Sequence, residues 1–202
     1  MFLFPKPVML VFFLLVAGSL PAQPFTRYKG EREEAFVKRI ARQDKLPYHV
    51  IETKEWDSSR NVVIYFEKLV SAESEIVNGY ILVPHNDNGY ERVLIDTFYE
   101  DGGPVFIDTV FFANADPDAQ KEIIVMTRNT VQHNGARVWG EFYATHIYDV
   151  PDLLHPPKRL LFLKGPSKKL ESGFEGTIGN KRSKAKYKTA AEVRIALKKM
   201  GF

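Results

Sequence analysis

From residue 61 to residue 150 the chain repeats one pattern, a run rich in β-branched and aromatic residues followed by a short polar cluster. That repetition limits the fold more than any other feature. VVIYFEKL within residues 61–69 and IVNGYILV at 76–83 are separated by residues 71–75, a connection of hairpin length. His85-Asn-Asp-Asn-Gly89 turns the chain before residues 90–99, and Asp101-Gly-Gly-Pro104 turns it before 105–113. An acidic loop at 114–122 leads into IIVMT, and residues 132–136 turn the chain once more into the long run 137–150. Such clusters act as turns because Gly and Asn accept positive φ and Pro sets its own. Short strands at this spacing predict an antiparallel meander of about six or seven strands.

The alternation within the runs says what must cover that sheet. Val62, Ile64 and Phe66 face one way and Val63, Tyr65 and Glu67 the other; Val138, Phe142 and Ala144 oppose Trp139, Tyr143 and Ile147. Both faces carry apolar side chains, so the sheet is expected to be covered on both sides, or twisted into a half-barrel that helices close. Helices are predicted at each end. Residues 31–43 place Phe36, Val37, Ile40 and Ala41 on one face, with acidic residues at the start, and Pro47 breaks the chain before His49-Val-Ile51. Thr189-Ala-Ala-Glu192 is a capping box, followed by Val193, Ala196, Leu197 and Met200 at helical spacing and by Gly201 as the stop. Between these helices, residues 158–163 read as one further strand and 165–188 as a Lys-, Ser- and Gly-rich hairpin around Phe174. The fold class is α+β.

Residues 1–22 have the form of a secretory signal: Lys6 as the one charge, an apolar core from Val8 to Val16, and Gly18-Ser-Leu-Pro-Ala22 as a small-residue cleavage region. Cleavage near Ala22 would leave a periplasmic or secreted chain with no transmembrane span, since a span takes about 20 apolar residues. A retained N-terminal anchor is the alternative. With no cysteine, lipid attachment at an N-terminal Cys and disulfide staples are both excluded. The division expected is a signal peptide at 1–22, an α+β domain at 23–163, and a basic segment at 164–202 that ends in a helix. That last segment has eleven Lys and Arg against Glu171, Glu175 and Glu192, a net +8, whereas 23–163 is net −6. Lys181, Arg182, Lys184, Lys186 and Lys188 are its densest run and the candidate contacts for an anionic surface polymer; nucleic acid is not expected for an exported chain. A basic end that docks on its own acidic body, or is simply solvated, explains the asymmetry equally.

One loop has oxygen donors at a spacing with chemical meaning. Counted from Asn114, the donors Asn114, Asp116, Asp118 and Glu122 fall at positions 1, 3, 5 and 9, and alternate residues on a tight loop converge on the hard-oxygen shell that Ca²⁺ takes. The segment resembles the metal loop of FG-GAP or VCBS-type β-propeller repeats, in which a D-x-D-x-D-G-x-x-[DE] pattern precedes a short apolar strand, here Ile123-Ile-Val125. Calcium is the cofactor that this resemblance implies. Asn114 stands where the first carboxylate would, Ala119 where the glycine would, and the motif occurs once in a chain too short for a propeller. An ordinary hairpin turn built on Asn114, Asp116 and Pro117 accounts for the same residues.

Other chemistry finds less support. The histidines at 49, 85, 133, 146 and 155 show no spacing that puts two ligands on one helix face. Gly165-Pro-Ser167 lacks the second glycine of a nucleophile elbow. Asp96 and Asp108 lie on neighbouring runs and could meet in space as a carboxylate pair. Tyr65, Tyr80, Tyr99, Trp139 and Tyr143 offer flat rings for a partner protein or glycan wherever they are exposed. These readings converge on an exported, non-catalytic binding or structural protein with an unidentified envelope protein or glycan as partner, and with one calcium site in prospect. Binding of an anionic polymer through the basic end, and a hydrolase whose site is invisible in sequence, are the alternatives.

Overall fold

The computed structural model describes residues 24–202 apart from 57–58, 72–73, 86–88, 101, 150–154 and 172; the expected signal peptide at 1–22 lies outside the described residues. The strands are β1 (Phe25–Thr26), β2 (Ile51–Thr53), β3 (Val62–Val70), β4 (Glu75–Pro84), β5 (Gly89–Tyr99), β6 (Val105–Ala113), β7 (Glu122–His133), β8 (Val138–Asp149), β9 (Leu161–Phe162), β10 (Gly173–Ile178) and β11 (Lys181–Ser183). The helices are α1 (Glu33–Ala41), α2 (Lys164–Lys169) and α3 (Ala190–Met200). The β-rich character with helices at both ends is as the sequence predicts. The count of six or seven strands in one meander is not: among the described residues eleven strands form two sheets, in the orders β1-β5-β4-β3-β2 and β11-β10-β8-β7-β6, with β9 also on β8.

The physical reason lies in the two apolar faces of each strand. One face of β3, β4 and β5 supplies Val62, Ile64, Phe66, Val77, Ile81, Val83, Val93 and Ile95 to a core shared with Val105, Phe112, Ile123, Val125 and Tyr148 of the second sheet. The sheets therefore cover each other. The opposite faces are covered by helices. Phe36 and Val37 of α1 pack on Val63, Tyr65 and Leu82, while Val193, Ala196 and Leu197 of α3 and Leu170, at the end of α2, pack on Phe111, Ile124, Met126 and Ile147. Each such side chain, fully buried, contributes roughly 1.5–3 kcal/mol. At Gly79 the inner face has no room for a side chain, because a Cβ there would stand 2.8 Å from the Phe66 ring; the register of β4 on β5 shifts at this point.

Residues 158–162 tie the two sheets together. Leu94 of β5 donates to the Lys158 carbonyl at 3.0 Å and accepts from Leu160 at 2.9 Å, and the next two residues, as β9, pair with Tyr148 and Asp149 of β8. The Asp96 carboxylate reinforces this link by accepting from the Tyr148 hydroxyl at 2.8 Å and pairing with Arg159.

At the N-terminal end the helix is shorter than the predicted 31–43. Arg32 is its cap, and Glu31 lies outside it, accepting from Arg39 at 2.9 and 2.8 Å. At the other end the Thr189/Glu192 capping box is present and Gly201 closes α3 with φ 96°. Residues 164–202 enter the second sheet through β10, which pairs with β8 from Tyr143 to Val138. No helix among the described residues is long and apolar enough to cross a membrane.

Candidate metal centre

β6 and β7 are neighbours joined by residues 114–121, and their first closing pair is Ala113 opposite Glu122. Side chains alternate along β7, so Glu122 shares the helix-covered face with Ile124 and Met126. Ala115, in the loop, is fully buried in that same apolar cluster. The cluster thus anchors the loop at one end and holds Glu122 out of water at the other: the whole residue has 0% exposure.

Burial leaves the Glu122 carboxyl half-satisfied. Its Oε2 accepts a short hydrogen bond from the Ala115 N–H, whereas its buried Oε1 has no partner. The rest of the loop is held by its own acids. Asp116 Oδ1 accepts from the Asp118 N–H at 3.0 Å, and Asp118 Oδ1 accepts from the Gln120 N–H at 2.7 Å, two Asx turns in succession. Asn114 Nδ2 reaches the Asp118 carbonyl at 3.5 Å across the loop. One carboxylate oxygen each from Asp116, Asp118 and Glu122 lie within 4.8 Å of one another. Ligands 2.3–2.6 Å from a common Ca²⁺ ion are separated by no more than about 5 Å, so this spacing fits one ion.

The electrostatics agree with the geometry. Burial, first of all, pushes the Glu122 carboxyl up to about 7; the Ala115 N–H opposes that, and the nearby Asp116 and Asp118 charges add to it. No ion pair to any of the three acids occurs among the described residues. A buried acceptor without a donor costs on the order of 1–3 kcal/mol, and a cation would satisfy it.

The other residues singled out in the sequence are more dispersed. Lys181 and Arg182 are exposed on the edge strand β11, and Lys184 and Lys186 are exposed beyond it. Lys188 is committed: its Nζ lies 2.5 Å from Glu175 and 6.0 Å from the Tyr143 ring centre. Tyr65 is buried and stacks on Tyr80 at 5.3 Å, whereas Tyr99 and Trp139 are 66% and 44% exposed. Asp96 is engaged by Tyr148 and Arg159, and Asp108 by Arg128 at 3.2 Å, so their carboxylates serve different partners. His146 packs among Phe98, Tyr148 and Phe162 and meets Thr127 Oγ1 at 3.0 Å; burial pulls its pKa down to about 4 and keeps it neutral.

Sequence spacing missed two lysines, Lys169 and Lys199, that share a groove with Lys186. Doublets in the last turns of α2 and α3 are the only local sign of them. No protein-family model, no curated protein and no solved structure matches the chain.

Proposed function

We propose that this is an exported, non-catalytic binding or structural protein whose β6–β7 loop takes up one calcium ion. Export rests on the sequence of residues 1–22. The observation that carries the cation is Glu122, fully buried, with one carboxylate oxygen unpartnered beside the oxygens of Asp116 and Asp118. These three are the proposed ligands, with the Asn114 amide as a fourth and water completing the shell. An all-oxygen donor set of two or three charges suits a hard cation, and an irregular loop suits the variable geometry of Ca²⁺ better than the strict octahedron of Mg²⁺. The ion would hold the loop against the α3-covered face and present a rigid surface at one end of the sandwich, where an envelope protein or glycan could dock.

Thermal unfolding in chelator and in excess Ca²⁺ tests this reading. At about 100 times its Kd, an ion that binds only the folded state adds roughly 2.7 kcal/mol, a rise of several degrees in Tm. Asp116→Ala combined with Asp118→Ala should abolish the rise while leaving the chelated protein folded. Coincident curves with and without Ca²⁺ would mean that the loop is a turn.

A further inference from the structure

A groove of about 440 Å³ lies between α2, α3 and the segment leading into α3. We infer that it binds a single-chain anionic amphiphile, with an alkyl chain on its apolar floor and a phosphate- or carboxylate-type head group on its lysines. This inference is independent of the cation site. Ala196 and Met200 form the floor, with the fully buried Leu170 beneath them, and Ile195 stands at its side with 56% exposure, an apolar side chain on the solvent side of an otherwise amphipathic helix. Grooves of this size suit small ligands that are mostly apolar with a few fixed polar contacts.

The charges around the groove select the head group. Lys169, Lys186 and Lys199 line it, all three exposed and none in an ion pair among the described residues. Glu192 also lines it but is engaged in the α3 cap, its Oε2 accepting from the N–H groups of Lys188 and Thr189 at 2.7 and 3.0 Å. Lys169 and Lys199 sit in the last turns of their helices, where cations offset the carbonyl ends. That role needs no apolar surface beside them. Three lysines around an apolar floor complement a molecule that carries both an anion and a hydrocarbon chain. A polyanion would use the charges alone, and a membrane surface would need no groove.

Isothermal titration of the purified protein with decyl phosphate, below its micelle concentration, tests the inference. Saturable binding of one molecule is expected, about tenfold tighter than octyl phosphate because two more methylenes are buried. Ile195→Asp, a change at an exposed position, should remove binding with the circular dichroism spectrum intact. Lys169→Gln with Lys199→Gln should weaken it by about tenfold or more, and Lys181→Gln with Arg182→Gln, on β11, should leave it unchanged. Equal binding of decyl maltoside would overturn the role of the lysines. Inorganic phosphate or polyphosphate binding as tightly as decyl phosphate would overturn the role of the floor and favour an anionic polymer. Adsorption to phosphatidylglycerol vesicles without any uptake of soluble decyl phosphate would overturn the groove in favour of a lipid surface.

Discussion

The two helix-covered faces of the sandwich handle charge in opposite ways. On the α1 side three cations, Arg27, Lys38 and Arg39, are neutralised in place. Arg27 forms two hydrogen bonds to Glu52 at 2.8 and 3.2 Å, Arg39 holds Glu31, and Lys38 meets Glu34 at 2.7 Å. Both arginines also lie over the buried Phe36 ring, at 5.9 and 5.4 Å from its centre. On the α3 side, Lys188 pairs with Glu175 and Arg194 donates to the Phe112 carbonyl at 2.7 Å, but the other nine basic residues of 164–202 make no ion pair among the described residues. The same side holds the acids of the β6–β7 loop, also without a counter-ion among the described residues. One face pairs three of its cations within the chain, while the other, Lys188 and Glu175 aside, keeps cations and anions apart, each available to something outside the chain.

The largest effect should come from the apolar undersides. Phe36→Ala removes a fully buried ring that also seats two arginines, and by denaturant unfolding should cost about 3–5 kcal/mol. Ile195→Ala on the other helix, more than half exposed, should change stability by no more than about 0.5 kcal/mol. Similar costs for the two would mean that the α3 groove is closed in solution, and the contrast between the faces would fail.

Next in size is a pH effect confined to the acidic loop. The folded-state pKa of Glu122 lies above its ordinary 4.5, at about 7, so between these values the folded chain binds more protons than the unfolded one. Stability in chelator should therefore fall as pH rises from 4.5 to 7, by ~2–3 kcal/mol in all. Excess Ca²⁺ should restore it, and Glu122→Gln should flatten the dependence. A chelated wild type with no slope in this window would mean that Glu122 is better solvated than its burial implies.

A smaller effect concerns the α3 cap. Thr189 Oγ1 accepts from the Glu192 N–H at 3.3 Å, and Thr189→Ala should lower stability by about 1 kcal/mol. The denaturant midpoint measures it, and Thr189→Ser should recover most of the loss.

These elements also mark what could be read from the chain alone. The α3 cap and its apolar stripe involve neighbours within a few residues, and sequence spacing located them. The convergence of Asp116, Asp118 and Glu122 is local in the same sense. The sheet division was not legible, because an apolar strand face looks the same whether a helix or a second sheet covers it. α2 begins Lys-Gly-Pro with no side-chain cap; proline is tolerated in a first turn, but nothing in such a run announces a helix. The complete burial of Glu122 depends on the cluster around Ala115 and α3, far away in sequence. The pairing of Lys188 with Glu175 needs the β10–β11 hairpin to bring them together, so a run of five basic residues read as one surface contains a member already neutralised.

The smallest effect, and the one that sets the two faces most directly against each other, concerns Glu52. Its hydrogen bonds to Arg27 hold its carboxyl below the usual value, with Asn61 assisting and burial opposing. A lowered folded-state pKa means that the stabilisation is fully present above the unfolded value near 4.5 and is lost as pH falls through the folded one, opposite in sign to Glu122 and in a lower window. The side chains of the pair keep 18% and 22% exposure, so solvent screening limits the contribution to ~0.5 kcal/mol. Glu52→Gln should therefore lower stability at pH 7 by that amount and remove part of the loss seen as pH falls below 4.5, leaving the slope between 4.5 and 7 untouched. Glu122→Gln should do the converse. If Glu52→Gln left the acid limb unchanged, the Arg27 pair would be a surface contact of no energetic weight. The α1 side would then owe its stability to Phe36 and its neighbours, and only the unpaired charges of the α3 side would still distinguish the two faces.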